Sequence, residues 1–215
     1  MSVFEAINND ALAHALEERG LSRSKSLLSP SLVFGHQAFL KQVESSVKSQ
    51  GAPPKGFDIL MMKEYKLEPI AKAALEALKP KYRNLPKAEF LSEMRKGHYD
   101  LILMGYGLTV RDWDYLSTLF HSDSTHNFVK LHDPVVDGWL VEAREEAIPV
   151  KRIPLYANVL QRNQENLWYI PVSHVPLVFG ISDKLNLSSS TDELVITSPF
   201  FDLGALTWKN CFAFR

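Results

Sequence analysis

Gly105-Tyr-Gly-Leu-Thr-Val-Arg-Asp-Trp-Asp-Tyr115 puts aromatic, hydroxyl and acidic side chains directly after a short apolar run, Tyr99-Asp-Leu-Ile-Leu-Met104. Tyr106 and Trp113 offer ring faces on which a ligand can stack. Asp112 and Asp114 can accept a ligand's hydrogen bonds or pair with a cation. The same residues also admit a purely structural reading, in which Trp113 anchors the loop in the core and Asp114 is the N-cap of a helix over 115–120. The place of the loop after an apolar run that reads as a strand favours a ligand.

Other groupings carry less. His121-x-Asp123-x-x-His126-x5-His132 has imidazole and carboxylate groups of the kind first-row cations take. Nothing local fixes their geometry, so they read as a solvated loop and no metal is expected. Serines, histidines and acids are numerous, but no Gly-x-Ser-x-Gly elbow occurs. Neither phosphate-cradling glycine pattern is present, and Gly105-Tyr-Gly107 lacks the third glycine. Cys211, the single cysteine, excludes a disulfide scaffold and reads as a small buried hydrophobe beside Phe212 and Phe214. No catalytic residues are assigned, no cofactor is expected, and the chain is read as a non-enzyme. Ala11–Ser24 has the outline of a helix-turn-helix, with Arg19-Gly20 at the turn and Arg23 and Lys25 placed to meet phosphates. An ordinary helix followed by a loop explains it as well.

Charge supports that plainer reading. The 215 residues carry 24 Lys and Arg against 25 Asp and Glu, a net −1. The balance is +3 over residues 1–100 and −4 over 101–215, so neither half has the basic excess of a nucleic-acid-binding domain. At 46% hydrophobic and 23% charged residues the chain reads as globular. It has no run of the roughly 18–20 apolar residues that a membrane span needs. The N-terminus carries acids early and no basic-then-apolar leader, so the expectation is a cytoplasmic chain or a piece of a longer, exported one.

The elements that must position the 105–115 loop follow from periodicity and punctuation. Residues 3–19 read as one amphipathic helix stopped by Gly20, with a second helix over 37–47. Gly51-Ala-Pro-Pro-Lys-Gly56 breaks the chain. Phe57–Met62 is short and apolar enough for a buried strand; a helix over 67–78 starts with Pro69 in its first turn and ends at Pro80. A helix around Phe90, Leu91 and Met94 leads to the strand 99–104. Helices over 135–147 and 153–167 follow, then an extended segment with Pro171 and Pro176. Residues 182–193 read as a polar loop and 194–197 as a last short strand. Strand, helix, helix, strand argues for an α/β layer with a mainly parallel sheet flanked by helices. Ligands meet such sheets at the carboxyl ends of the strands, here residues 64–67 and 105–115. The domains expected are 1–56, a helical N-terminal segment; 57–171, the α/β lobe; and 172–215, an extended C-terminal segment.

Three stretches in order, KGHYDLILMGYGLTVRDWDYLSTLFHS, NFVKLHDPVVDGWLVEARE and KRIPLYANVLQRNQENLWYIPV, resemble the second lobe of family 5 extracellular solute-binding proteins, the peptide- and nickel-binding type. Asp100, Gly105, Asp112, Leu116, Asn127, Asp137, Leu140, Ala143, Arg152, Leu155, Tyr156 and Pro171 carry the resemblance, and EAINNDALAHAL looks like the family's early helix. The tail SPFFDLGALTW resembles the solute-binding portion of the sugar-phosphate stress regulators. The resemblance implies one lobe of a two-lobed periplasmic-binding-protein-like fold, from which the family's large first lobe is missing.

It also implies a site. In the family's peptide binders an aspartate after the Gly-aromatic pair holds the ligand's amino group, and Thr109 is the nearest match here. A neutral hydroxyl cannot give a charge-assisted bond to an ammonium. Gly107 would let backbone amides approach a ligand without a side chain in the way. The ligand-binding residues expected are Tyr106, Gly107, Thr109, Asp112 and Trp113. The function expected is non-catalytic binding of a small polar solute (peptide, sugar or sugar phosphate) as a sensor or capture lobe, as in ABC transport. The alternative is the ligand-sensing fragment of a transcriptional regulator whose DNA-binding domain is elsewhere. Expected partners are a small-molecule or peptide ligand and a missing first lobe or a homodimer partner, with no nucleic acid contact by this chain and no membrane span.

Overall fold

Ile59, Leu60 and Met61 are fully buried and Met62 nearly so, which requires cover on both faces of the strand that holds them. That strand is β1 (Asp58–Met62). The computed structural model describes residues 3–7, 9–24, 26–28, 56–107, 112–175, 185–187 and 206–208. The chain divides into two compact units, Met1–Tyr106 with Asp112–His174, and Gly107–Arg111 with Val175–Arg215.

In the first unit β1 pairs in parallel with β2 (Lys81–Leu85) on one side and β3 (Leu101–Leu103) on the other, in the order β2-β1-β3. Successive strand side chains face opposite ways, and β1 uses both. Ile59 and Met61 enter a cluster with Leu12, Leu16, Ile70, Ala71 and Leu75. Leu60 and Met62 enter another with Phe90. The first face is covered by α1 (Val3–Ile7), α2 (Asp10–Glu17) and α3 (Glu68–Leu75). The second is covered by α4 (Lys87–Lys96). The result is an α/β layer with a parallel sheet between helices.

Residues 3–19 are two helices rather than one, and Asn9 is the cause. Its Oδ1 accepts the Leu12 amide at 2.7 Å, capping α2. Its Nδ2 donates to the Ala6, Ala73 and Ala74 carbonyls at 2.7, 3.0 and 3.3 Å, so one side chain ends α1, starts α2 and ties both to α3. After Gly20 (φ +69°) residues 21–24 are extended, where a helix-turn-helix would place its second helix. Ser24 N–H donates to Val172 O at 2.9 Å, and Arg23 and Ser173 form an antiparallel bridge.

β2 lies between two helices that periodicity reads as consecutive, at 81–85, where the family resemblance places a shortened strand. Lys81-Tyr-Arg-Asn-Leu85 is an edge strand with no fully buried residue, so it needs no apolar run to betray it. Arg83 on β2 donates to Glu93 Oε2 on α4 at 2.7 Å, and Lys96 Nζ reaches Glu93 Oε1 at 2.9 Å.

α5 (Tyr115–Phe120), α6 (Pro134–Glu145) and α7 (Pro149–Asn166) complete the unit. Asp133 caps α6, its Oδ1 accepting the Val135 amide at 3.0 Å and the Val136 amide at 3.4 Å, while Oδ2 takes Arg162 Nε at 3.0 Å. α7 begins at Pro149, four residues before the expected start at 153, and runs through Pro154. A proline so near the N-terminus deletes only an early helix bond.

In the second unit β4 (Leu185–Leu187) and β5 (Leu206–Trp208) pair antiparallel, Asn186 opposite Thr207. The expected polar loop over 182–193 therefore contains a strand. Leu-Asn-Leu is too short to register as one until residues 20 positions away supply its ladder. The expected helix at 37–47, the expected strand at 194–197 and Cys211 lie outside the described residues. Among the described residues no helix is long and apolar enough to cross a membrane.

Two measurements check this layer. Asn9→Ala removes the cap and the tie to α3, and urea unfolding should show a loss of ~1–3 kcal/mol. Asn9→Asp keeps the cap acceptor and should fall between. Hydrogen bonds from Lys96 first and Arg83 next hold the Glu93 carboxyl down at about 2. A folded value below the unfolded one, about 4.3, means stability that is present above the unfolded value and lost as pH falls through the folded one. Glu93→Gln should flatten the acid limb of stability between about pH 4.5 and pH 2, read by thermal melts across that range.

Candidate functional site

Parallel strands present their carboxyl ends together, and two of them bring aromatic side chains to this edge. β1 runs into a short 3-10 turn, Lys63–Tyr65, whose Tyr65 is 45% exposed. β3 runs into Met104–Gly107, whose Tyr106 is 38% exposed. Gly105 sits where an added Cβ would meet the Tyr65 ring at 4.0 Å, so these two chain ends are neighbours.

Tyr106 does not stand alone. Its ring centroid is 6.0 Å from that of His126 and 6.1 Å from that of Phe128, and His126 and Phe128 are 5.9 Å apart, all three pairs edge-to-face. The edge-to-face arrangement is the one aromatic quadrupoles favour. The loop carrying the partners is held from within: Asn127, buried, donates to Leu131 O at 2.7 Å and accepts the Leu131 amide at 2.8 Å. Tyr99 Oη donates to Phe128 O at 2.7 Å, tying the loop to the residues entering β3. Ser122 donates to Asp137 through its amide at 2.9 Å and its hydroxyl at 2.5 Å, fixing the loop to α6. Burial pushes the Tyr106 hydroxyl above its ordinary value, so it is a neutral donor across the physiological range.

The rest of the loop after β3 turns inward. Asp112 Oδ1 accepts the Asp114 amide at 3.0 Å, and Asp112 O accepts the Tyr115 amide at 3.2 Å, a local turn built on the aspartate. Trp113 is 8% exposed, its ring 6.4 Å from that of Tyr156 on α7. The Asp114 carboxylate makes no bond to a helix amide. Its Oδ1 accepts instead from Ser117 Oγ at 2.7 Å, Arg144 Nε at 3.0 Å and Tyr156 Oη at 3.1 Å. The side chain read as a helix cap is thus a junction of α5, α6 and α7. Burial, then the nearby Asp114 charge, raises the Tyr156 hydroxyl above its ordinary value.

Of the five expected ligand-binding residues, Tyr106 is exposed at the strand end, Asp112 is half-buried in its turn, and Trp113 is buried. Gly107 is open, with nothing within 4 Å of an added Cβ. Thr109 lies outside the described residues. Tyr65, His126 and Phe128 join Tyr106 here without belonging to the ligand set that the sequence predicts. Position after a strand points to the 64–67 loop, and the histidine-rich loop contains His126, but neither pattern marks an aromatic cluster. Among the described residues no three His, Cys, Asp or Glu side chains converge on a metal position. His121 Nδ1 accepts the Asp123 amide at 3.2 Å, while His126 faces the aromatic pair.

No family model matches this sequence, and no curated protein matches it. Solved structures do. A putative peptide binding protein AppA from Clostridium difficile superposes with a TM-score of 0.64 at 15% identity, over 96% of this chain and 46% of that one. The PBP AgaA in complex with agropinic acid, from A. tumefaciens R10, gives 0.60 at 17% identity over 80% of this chain and 39% of that one. The fold is that of a solute-binding-protein lobe. The unliganded open form of the periplasmic murein tripeptide binding protein MppA agrees, at 0.54 and 16% identity, with 80% of this chain and 39% of that one covered. These are binding proteins of the type the sequence resembles, and the chain spans less than half the length of each. In this lobe the aromatic trio stands at the carboxyl end of the sheet.

Asp114→Ala should destabilise the lobe by ~1–3 kcal/mol in urea, because it strands the hydroxyl of a buried tyrosine as well as removing a salt link. Tyr156→Phe in the same background should restore part of that loss, since the stranded donor is then gone.

Proposed function

We propose that this chain binds a small polar solute (a peptide, sugar or sugar phosphate) without transforming it, as the capture lobe of a two-lobed binding protein. The observation that carries the reading is the exposed Tyr106, braced by His126 and Phe128, at the carboxyl end of a parallel sheet whose fold is shared with solute-binding proteins. A ring held by two others loses little freedom when a ligand stacks on it, and preorganised contacts of that kind favour binding. Gly107, Thr109 and Asp112 are proposed as further ligand contacts, the glycine through its backbone amide. Trp113, proposed from the sequence as a contact, would act by holding the loop from below.

A single lobe covers one side of a ligand, whereas a pocket ordinarily buries about 70–90% of one. We infer that a first lobe closes over this face and that the ligand stabilises the closed state by touching both. Light scattering with and without ligand tests whether a second copy of this chain can take that place. The kinship with a periplasmic binding protein supports a place outside the cytoplasm and a role beside an ABC transporter.

The test is a thermal-shift and tryptophan-fluorescence screen of the purified chain against short peptides, sugars and sugar phosphates. A saturable ligand is expected, with Tyr106→Ala weakening it about tenfold while the free protein stays folded and melts cooperatively. A ligand bound equally by wild type and Tyr106→Ala would move the site away from the trio.

A further inference from the structure

α6 turns Val136, Leu140 and Ala143 into the lobe. Residues three and four apart share a helix face, so the opposite side is the row Pro134, Gly138, Val141 and Glu145, all exposed. Val135 and Val141, three residues to either side of Gly138, are 49% and 43% exposed. A helix face turned to water ordinarily carries charged and polar side chains. From Pro134 to Val141 this row carries none.

Gly138 has no reason within the lobe. Its backbone is helical, where glycine is among the poorest residues. An added Cβ would meet nothing within 4 Å, so internal packing does not require it either. The distance between two packed helices is set by the side chains at their contact, and a glycine at the middle of an exposed face lets another helix lie close.

The ends of α6 are charged against its own dipole. Glu142 and Glu145 are exposed near the carboxyl end, where the helix macrodipole is negative. Among the described residues neither carboxylate has a hydrogen bond or an ion pair, whereas Arg144 between them is engaged by Asp114. At the amino end the dipole is positive. Exposed Lys130 and His132 lie in the approach to it, and the Lys130 ammonium, 3.5 Å from Lys96 O, has no carboxylate partner among the described residues.

One arrangement answers all three features. When two copies of α6 cross antiparallel at Gly138, residues equally far from it on either side oppose one another. Val141 then meets Val135 across the axis, the two glycines meet at the centre, and Glu142 and Glu145 come over the amino end of the facing helix. We propose that α6 is the contact of a homodimer, with a second copy of this chain lying antiparallel on it about a two-fold axis at Gly138. The interface is isologous, so every attraction is made twice. It does not rest on the solute-binding reading, because none of its residues is among the proposed ligand contacts.

Sedimentation equilibrium of the full chain without ligand, from micromolar to near-millimolar concentration, tests it. Wild type should be half associated at roughly 10–100 μM, weakly because one helix pair buries less than the roughly 1,200–2,000 Å² of a stable interface. Gly138→Gln should weaken association about tenfold or more by holding the backbones apart. At low concentration that variant should melt no lower than wild type, since glutamine is the better helix former. Glu142→Lys combined with Glu145→Lys should weaken self-association, as should His132→Glu. An equimolar mixture of those two variants should associate again, and less so at high salt. A wild type that stays monomeric throughout overturns the proposal, as does equal association by wild type and Gly138→Gln. A mixture that stays monomeric rejects the antiparallel register. Association that Tyr106→Ala abolishes and Gly138→Gln does not would place the second copy on the ligand-facing edge instead, and overturns the α6 contact while leaving the solute-binding reading standing.

Discussion

The constraint on which the rest of the lobe depends is that β1 must be dry on both faces. Four consecutive buried apolar residues cannot be served by one helix layer, because alternate side chains point opposite ways. α1, α2 and α3 close one side and α4 the other. α3 and α4 must also return the chain to the start of a parallel neighbour. The carboxyl ends of β1 and β3 therefore open on one edge, where the first residues of the loops that leave them, up to Tyr65 and Tyr106, stand outside the core before the second loop turns inward at Trp113. Tyr65 and Tyr106 are exposed for that reason. The same packing that makes the centre of the sheet rigid makes its end available.

Polar groups then decide how the helices are cut and joined. Asn9 divides what looks like one helix because a single amide can satisfy carbonyls at the end of α1 and on α3 while capping α2. Asp114 gathers α5, α6 and α7 through a serine, an arginine and a tyrosine. In both cases the side chain satisfies groups that burial would otherwise strand, at about 1–3 kcal/mol each.

The candidate site was legible in part. The 105–115 loop could be found because a short apolar run ended in Gly-Tyr-Gly, and Tyr106 is exposed there. Its companions were hidden because they come from elsewhere: Phe128 and His126 lie some 20 residues on, in a loop whose histidines look like a weak metal pattern. Trp113 and Asp114 illustrate the limit in the other direction. An indole and a carboxylate are equally suited to a ligand and to a core, and only the presence of Tyr156, Ser117 and Arg144 shows what they touch.

What the sequence by itself determined is what periodicity and punctuation encode locally. β1 and β3 are apolar runs bounded by glycine or charge, and α3, α4, α6 and α7 carry apolar faces ended by Gly, Pro or polar residues. Their order dictates an α/β layer, and the ordered motifs name the solute-binding architecture. What only the tertiary structure decided depends on partners distant in the chain. β2 is a strand because it lies against β1, and β4 because β5 comes to it. Asn9 is a break because Ala73 and Ala74 lie beside it. Local pattern reports which face of a segment must be buried. It carries no record of which distant group will do the burying, and the chemistry of the site is made of those meetings.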